Sequence, residues 1–166
     1  TDLGAGPTLV GINTGHPNRL LTEAIAERRI APLCGYASAK REQKYGRNSR
    51  IDILLEDEKR GTCYVEIKNV HLMRQLGRAE FPDSITERGA KHLGELSQMV
   101  AQGHRAVMVF LVQRADAKEM RLARDIDVSY GKAFDAALKA GVEMLAYRCA
   151  LSPEGIALTQ RCPVKG

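Results

Sequence analysis

Asp52 and Glu66-Ile67-Lys68 are the residues of this chain whose types and spacing are best suited to chemistry. A charged, turn-compatible stretch, Glu56-Asp57-Glu58-Lys59-Arg60-Gly61-Thr62, separates two β-like runs, Ser49–Leu55 and Cys63–Lys68. The two runs read as an antiparallel hairpin. A turn centred on Lys59 sets Asp52 opposite Glu66 and Arg50 opposite Lys68, and period-two alternation puts Glu66 and Lys68 on one face. Facing side chains have Cβ atoms about 5 Å apart, so two carboxylates there repel unless a proton or a cation lies between them. One Mg²⁺ held by one or two carboxylates, with a lysine beside it, is an arrangement for phosphodiester hydrolysis.

A second group of residues suits anions. Lys40 to Arg50 holds five basic residues next to the carboxylates. Lys44, Arg47, Asn48 and Arg50 are candidate phosphate contacts, and Gly46 lets the backbone approach a nucleic-acid strand. Arg50 facing Lys68 is unfavourable unless an anion or the carboxylates compensate. Arg88, Lys91 and His92 lie near the start of a long helix, where the dipole and free N–H groups favour anions. Gln113, at the end of a buried strand, is placed to point into the same cleft. The plain alternatives are a solvated loop, a charged outer helix face and a Lys68–Glu66 salt bridge. His16, His71 and His104 have no pairing that supports a ligand role.

The chain of 166 residues fits one domain, residues 1–166, and is long enough to bury a core. Its net charge of +5 permits nucleic-acid binding without demonstrating it. Trp is absent and aromatics make up only 5%, which argues against an aromatic platform for single strands. Cys34, Cys63, Cys149 and Cys162 show no metal-ligand spacing. They read as reduced, partly buried thiols of a cytoplasmic protein. No run approaches the ~18 apolar residues of a membrane span, so no membrane partner is expected. The first residue is Thr, and a chain entering almost directly into a β-like segment is expected to be the C-terminal portion of something longer.

The elements that must position these residues alternate in type. Residues 7–13 form a short strand candidate, and Pro17-Asn18 opens a helix with Leu20, Leu21, Ala24 and Ile25 on its apolar side. A strand around Arg41 to Tyr45 precedes the hairpin, and Leu72 to Pro82 reads as a loop. Asp83-Ser84 or Thr86 caps a long helix through Leu93, Leu96 and Val100 that Gly103 stops. Ala106–Val112 is uninterruptedly apolar, as in a strand covered on both faces. A helix around Tyr130 to Ala140, a strand from Val142 to Ala150 and a final hairpin complete the order. The expectation is an α/β fold in which helices flank a mixed central sheet.

That order, with Asp and Glu-x-Lys on the second and third strands, resembles the restriction-endonuclease-like core of the PD-(D/E)xK superfamily, αβββαβ with an added αβ. A closer resemblance is carried by specific blocks. Asn13-Thr14 with Asn18-Arg19-Leu20, Lys44-Tyr45-Gly46 with Ser49-Arg50-Ile51-Asp52, and Tyr64-Val65-Glu66-Ile67-Lys68-Asn69-Val70 are three of them. Phe81–Leu93, Gly103–Val107 and Gly141–Tyr147 continue the match. Together they resemble the sugar fermentation stimulation protein A (SfsA) family along essentially the whole chain.

The resemblance implies a DNA-binding protein of bacteria or archaea, linked to regulation of sugar (maltose) utilisation genes. A Mg²⁺-dependent nuclease is the alternative, and a homo-oligomer is compatible with either. It implies that Asp52, Glu66 and the backbone carbonyl of Ile67 hold Mg²⁺ or Mn²⁺. Lys68 then orients or helps deprotonate a water, or stabilises the transition state. Glu23 is a further metal candidate, since the superfamily often supplies a carboxylate from its first helix. Glu23 nevertheless sits nearly opposite the buried stripe of that helix. Family members normally carry an N-terminal OB-like domain ahead of this region, and that part is missing here.

Overall fold

The structure, a computed structural model, describes residues 16–152 and 155–166. The strand candidate at 7–13 lies outside them. Helix α1 (His16–Ala26) leads through a single 3₁₀ turn (Ala31–Leu33) into β1 (Ser38–Tyr45), β2 (Ser49–Asp57) and β3 (Gly61–Val70). Then come β4 (Leu72–Gln75), β5 (Arg78–Phe81), α2 (Glu87–Ala101), β6 (Arg105–Val112) and β7 (Glu119–Leu122). The chain ends with α3 (Val128–Ala140), β8 (Glu143–Ser152), β9 (Gly155–Cys162) and β10 (Val164–Lys165).

Six strands form the main sheet in the order β1-β2-β3-β6-β8-β9. The β3–β6 and β6–β8 pairs are parallel and the other three are antiparallel. This is the mixed sheet that the residue pattern predicts. A smaller sheet, β10-β7-β5-β4, corrects the reading of 72–82 as a loop. Its strands are only two to four residues long, too short for alternation to stand out against a loop.

The run Ala106–Val112 is apolar because both faces of β6 are covered. Val107, Val109 and Leu111 pack with Leu21, Ala24 and Ile25 of α1, whereas Met108, Phe110 and Val112 pack with Leu93, Leu96 and Phe134 of α2 and α3. Strand β3 divides the same way. Cys63, Val65 and Ile67 join the α1 side, which sends Glu66 and Lys68 toward α2 by alternation.

Two caps fix where α2 and α3 begin. Thr86 Oγ1 accepts the N–H of Gly89 at 3.0 Å, and Asp127 accepts the N–H groups of Tyr130 and Thr86, both at 2.8 Å. Gly89 is needed there, because a Cβ would come within 2.8 Å of Thr86 Oγ1 and 3.0 Å of the Tyr130 ring. The four cysteines are free thiols, and burial pushes the Cys63 and Cys162 thiols up to about 11 and Cys149 to about 12.

Candidate functional site

Asp52 sits where β2 parts from β3 while remaining beside β1. The β2–β3 ladder has the expected register from Asp57↔Gly61 to Ile53↔Val65 and goes no further. Asp52 therefore does not pair with Glu66 across the hairpin, nor Arg50 with Lys68, which corrects the facing arrangement. The N–H of Ile67 is instead taken by the carboxylate of Asp52, Oδ2, at 2.7 Å. On the other side of β2 the β1 ladder omits the Glu42–Asp52 position, and Glu42 has φ +52°. The alternation of β2 breaks at the same place. Ile53 and Leu55 pack on the α1 side, while Ile51, of the same parity, packs on the α2 side.

The second oxygen of Asp52 is held from α1. Asn18 Nδ2 donates to Asp52 Oδ1 at 2.9 Å and to Glu42 Oε1 at 2.8 Å, bridging two carboxylates with one amide. Burial raises the Asp52 carboxyl to about 6, and the nearby charge of Glu66 adds to the rise. The hydrogen bonds from Ile67 and Asn18, with the Lys68 charge, oppose both.

Glu66, only 3% exposed, meets the helix packed over it. His92 of α2, 4% exposed, binds Glu66 Oε1 through Nδ1, and Lys68 Nζ donates to the same oxygen at 2.8 Å. Arg88 Nε lies 3.4 Å from His92 Nε2, on the far side of the ring from Glu66. Burial alone would raise the Glu66 carboxyl, but the bonds and charges of His92 and Lys68 outweigh it and leave it below the ordinary value. Glu66 Oε2 is buried with no hydrogen-bond partner among the described residues.

These groups open onto one cleft of about 400 Å³, lined by Glu42, Asp52, Glu66 and His92 and by Asn48, Ser49, Arg50, Arg88 and Lys91. A second hollow of about 370 Å³, lined by Lys44, Gly46, Asn48 and Arg50 among others, lies over the same turn. The structure thus brings together Asp52, Glu66, Asn48, Arg50, Arg88 and Lys91 in one cleft. Lys44 lies at the adjoining hollow, and Lys68 reaches the cleft through its bond to Glu66. Arg47 is exposed on the turn between β1 and β2 and gives its backbone carbonyl to Lys91 at 3.3 Å.

Three expected residues are placed elsewhere or otherwise engaged. Glu23 lies exposed on α1, 3.6 Å from Arg19, and not in the cleft. Gln113 is fully buried and donates to Asn69 Oδ1 at 2.8 Å. It lies one residue past β6 and, like Glu23, is not among the residues that line the cleft. His92 is at the cleft, but its Nδ1 is committed to Glu66 rather than open to a phosphate.

Asn18, Ser49 and Glu95 are the residues that the pattern of the chain does not single out for this site. Asn18 reads as part of a helix start, and Glu42 as either an outer carboxylate of the site or a surface residue; the structure puts it in the cleft lining. Arg88, Lys91, His92 and Glu95 do form a polar stripe at helical spacing, which is a signal that this face of α2 covers something polar.

The two carboxylates fit a hard divalent ion rather than a closed cage. Among the described residues no group of three or more His, Cys, Asp or Glu is arranged to hold a metal. Glu66 Oε2 is nevertheless an unused acceptor beside Asp52, and Mg²⁺-type sites need only one or two carboxylates with waters for the rest.

The family model described as the sugar fermentation stimulation protein RE domain matches residues 15–155. A sugar fermentation stimulation protein homolog of Azorhizobium caulinodans is 59% identical over 165 residues, covering 99% of this chain and 70% of that protein. Its counterpart in Rhodospirillum centenum is 61% identical over 154 residues, covering 93% and 66%. The chain thus spans about two thirds of the length of these relatives. Among solved structures, that of Pyrococcus furiosus SfsA in complex with Ca²⁺ is 27% identical, with a TM-score of 0.84 over 95% of this chain and 67% of that one. This chain belongs to the sugar fermentation stimulation protein (SfsA) family.

Proposed function

We propose that this domain binds DNA at the cleft between β2, β3 and α2, with a divalent ion held by Asp52 and Glu66 assisting the contact. One observation carries the reading: a single cleft is lined by the buried Glu66, the half-buried Asp52, and Arg50, Arg88 and Lys91. Basic side chains on one side of a carboxylate site suit a phosphodiester backbone, whose charge both the cations and a bound metal neutralise. The relative from Pyrococcus furiosus is described in complex with Ca²⁺, which supports an oxygen-ligated cation here. Mg²⁺ or Mn²⁺ is the physiological choice in this reading, with Ile67 contributing its carbonyl. The shared name of the relatives, sugar fermentation stimulation protein homolog, supports a link to sugar use, and in this reading the domain serves a cytoplasmic regulator of sugar-utilisation genes.

The position of Lys68 favours a second reading, hydrolysis of the bound strand. A divalent ion in the site would acidify a water and neutralise charge on the phosphate. Lys68, 2.8 Å from Glu66 Oε1, is placed to orient that water or to stabilise charge on the phosphate. His92 and Lys68 hold Glu66 ionised, and Asn18 with the Ile67 N–H fixes the Asp52 carboxylate, so both groups are oriented before a substrate arrives. Labelled duplex DNA incubated with Ca²⁺, Mg²⁺, Mn²⁺ or EDTA separates the readings. Salt-sensitive binding strengthened by Ca²⁺ and lost in Asp52→Ala is the expected result. Cutting in Mg²⁺ or Mn²⁺ that disappears in Asp52→Ala and Lys68→Ala would make the domain a nuclease. Binding indifferent to salt, to metal and to Asp52 would overturn both.

A further inference from the structure

The carboxylate of Glu95 is buried, 6% exposed, on the α2 face that covers the cleft, yet it does not line the cleft. Burial disfavours a carboxylate unless hydrogen bonds and charges hold it. Here the hydroxyl of Ser49 donates to Glu95 Oε1 at 2.8 Å, and Lys91 Nζ lies 3.7 Å from the same oxygen. Lys91 also donates to the carbonyl of Arg47 at 3.3 Å. Gly46, with φ +55°, packs directly under Glu95, since a Cβ there would be 3.2 Å from Oε1. Glu95 Oε2 is buried without a hydrogen-bond partner among the described residues, so the group is retained for what Oε1 holds.

Residues 46, 47 and 49 are therefore gripped by α2 from outside the sheet. They form the turn between β1 and β2, whose last ladder pair is Tyr45↔Ser49 and whose Asn48 also has a positive φ, +58°. A hairpin tip of this kind is free to flex unless something beyond its own strands fixes it. The same tip carries Arg47, Asn48 and Arg50, and α2 carries Arg88 and Lys91.

We propose that Glu95 is a positioning residue that clamps the β1–β2 turn onto α2, so that Arg47, Asn48 and Arg50 join Arg88 and Lys91 in one track for a phosphodiester backbone. The proposal rests on the nucleic-acid reading of the cleft. Glu95 itself repels phosphate, so any help it gives must pass through Ser49, Lys91 and the turn. Clamping removes the ordering cost that a loose basic arm meets on binding.

The test is a salt series of duplex-DNA binding by fluorescence anisotropy, with hydrogen exchange over residues 46–50. It compares the unsubstituted chain with Glu95→Ala, Glu95→Gln and Ser49→Ala. In Glu95→Ala and Ser49→Ala, affinity falls about tenfold and the slope of log K against log salt becomes shallower by about 0.9 to 1.8, one or two phosphates. Exchange at 46–50 accelerates in the same two variants. Glu95→Gln keeps nearly the full slope, because its amide oxygen still accepts the Ser49 hydroxyl. Ser49→Ala decides the matter should Glu95→Ala fail to fold. A folded variant lacking this hydrogen bond that keeps the parental affinity and slope overturns the clamp and leaves the nucleic-acid reading standing. Absence of salt-sensitive binding by the unsubstituted chain overturns the nucleic-acid reading, and the clamp with it.

Discussion

Asp52 closes the β2–β3 ladder with its side chain: its carboxylate accepts the backbone N–H of Ile67 at 2.7 Å, one residue from Glu66. The strands part there without leaving that N–H unpaired. The Asp52 carboxylate is thereby held beside Glu66, with Asn18 on its other oxygen.

The acidity of Asp52 gives the first prediction. Its folded-state pKa of about 6 lies above the ordinary value of 3.8, so the folded chain binds the extra proton between those limits. The cost of ionising it is absent below about pH 4 and fully present above about pH 6, so this group's contribution to stability falls as pH rises through that window. Asp52→Asn removes the buried charge at the expense of one hydrogen bond, and should raise stability at pH 8 by about 1–2 kcal/mol. That gain should vanish by about pH 4, since the native aspartate is then protonated. Urea unfolding at the two pH values checks it, and an equal difference at both would refute it. Ca²⁺ affinity of the unsubstituted chain should drop about tenfold per pH unit below 6, because proton and metal compete for the carboxylate.

Asn18 should matter for metal binding more than for folding. Asn18→Ala frees Asp52 Oδ1 and Glu42 from their shared donor, and is expected to weaken Ca²⁺ binding about tenfold or more. Titration calorimetry reads this directly. An unchanged affinity would mean that Ile67 alone orients Asp52.

His92→Ala exposes the opposite balance. The buried Glu66 loses one of the two partners that hold it ionised, and Lys68 remains. Stability at pH 7 should fall by about 2–4 kcal/mol. The Glu66 carboxyl, now less opposed in its burial, should titrate higher. In the native chain its lowered pKa contributes stability above the ordinary value of 4.5, and that contribution is lost as pH falls through the folded value. The variant should therefore be less sensitive than its parent to acid as pH falls below 4.5. Denaturant curves across that range test it, and parallel pH profiles would refute it.

The basic residues of the cleft predict graded salt effects. Arg50→Ala and Arg88→Ala should each reduce the salt slope of DNA binding by about 0.9, one phosphate apiece. Glu23→Gln, on the exposed side of α1, should leave DNA and Ca²⁺ affinity unchanged and shift stability by less than about 0.5 kcal/mol. A large loss of Ca²⁺ affinity in Glu23→Gln would return that residue to the metal site.

Local pattern determined much of this protein. The seven apolar residues of Ala106–Val112 required a strand covered on both faces. Turn chemistry around Lys59 determined the β2–β3 register, Thr86 and Gly103 bracketed α2, and the carboxylates, Lys68 and the basic turn were legible by type and spacing. Such signals act over a few residues, where backbone geometry alone sets which side chains share a face.

The tertiary structure decided the rest. Whether β2 stays paired at Asp52, that His92 and not solvent meets Glu66, and that Glu95 reaches Ser49 all depend on how α1 and α2 sit across the sheet. The partners are 34, 26 and 46 residues apart in the chain. Hydrophobic packing of the two helix stripes sets those positions, and the polar residues beside each stripe are carried to the site with it. Glu23 and Gln113 show the same cause from the other side. Glu23 lies exposed on α1 and Gln113 is buried just past the end of β6, and neither lines the cleft.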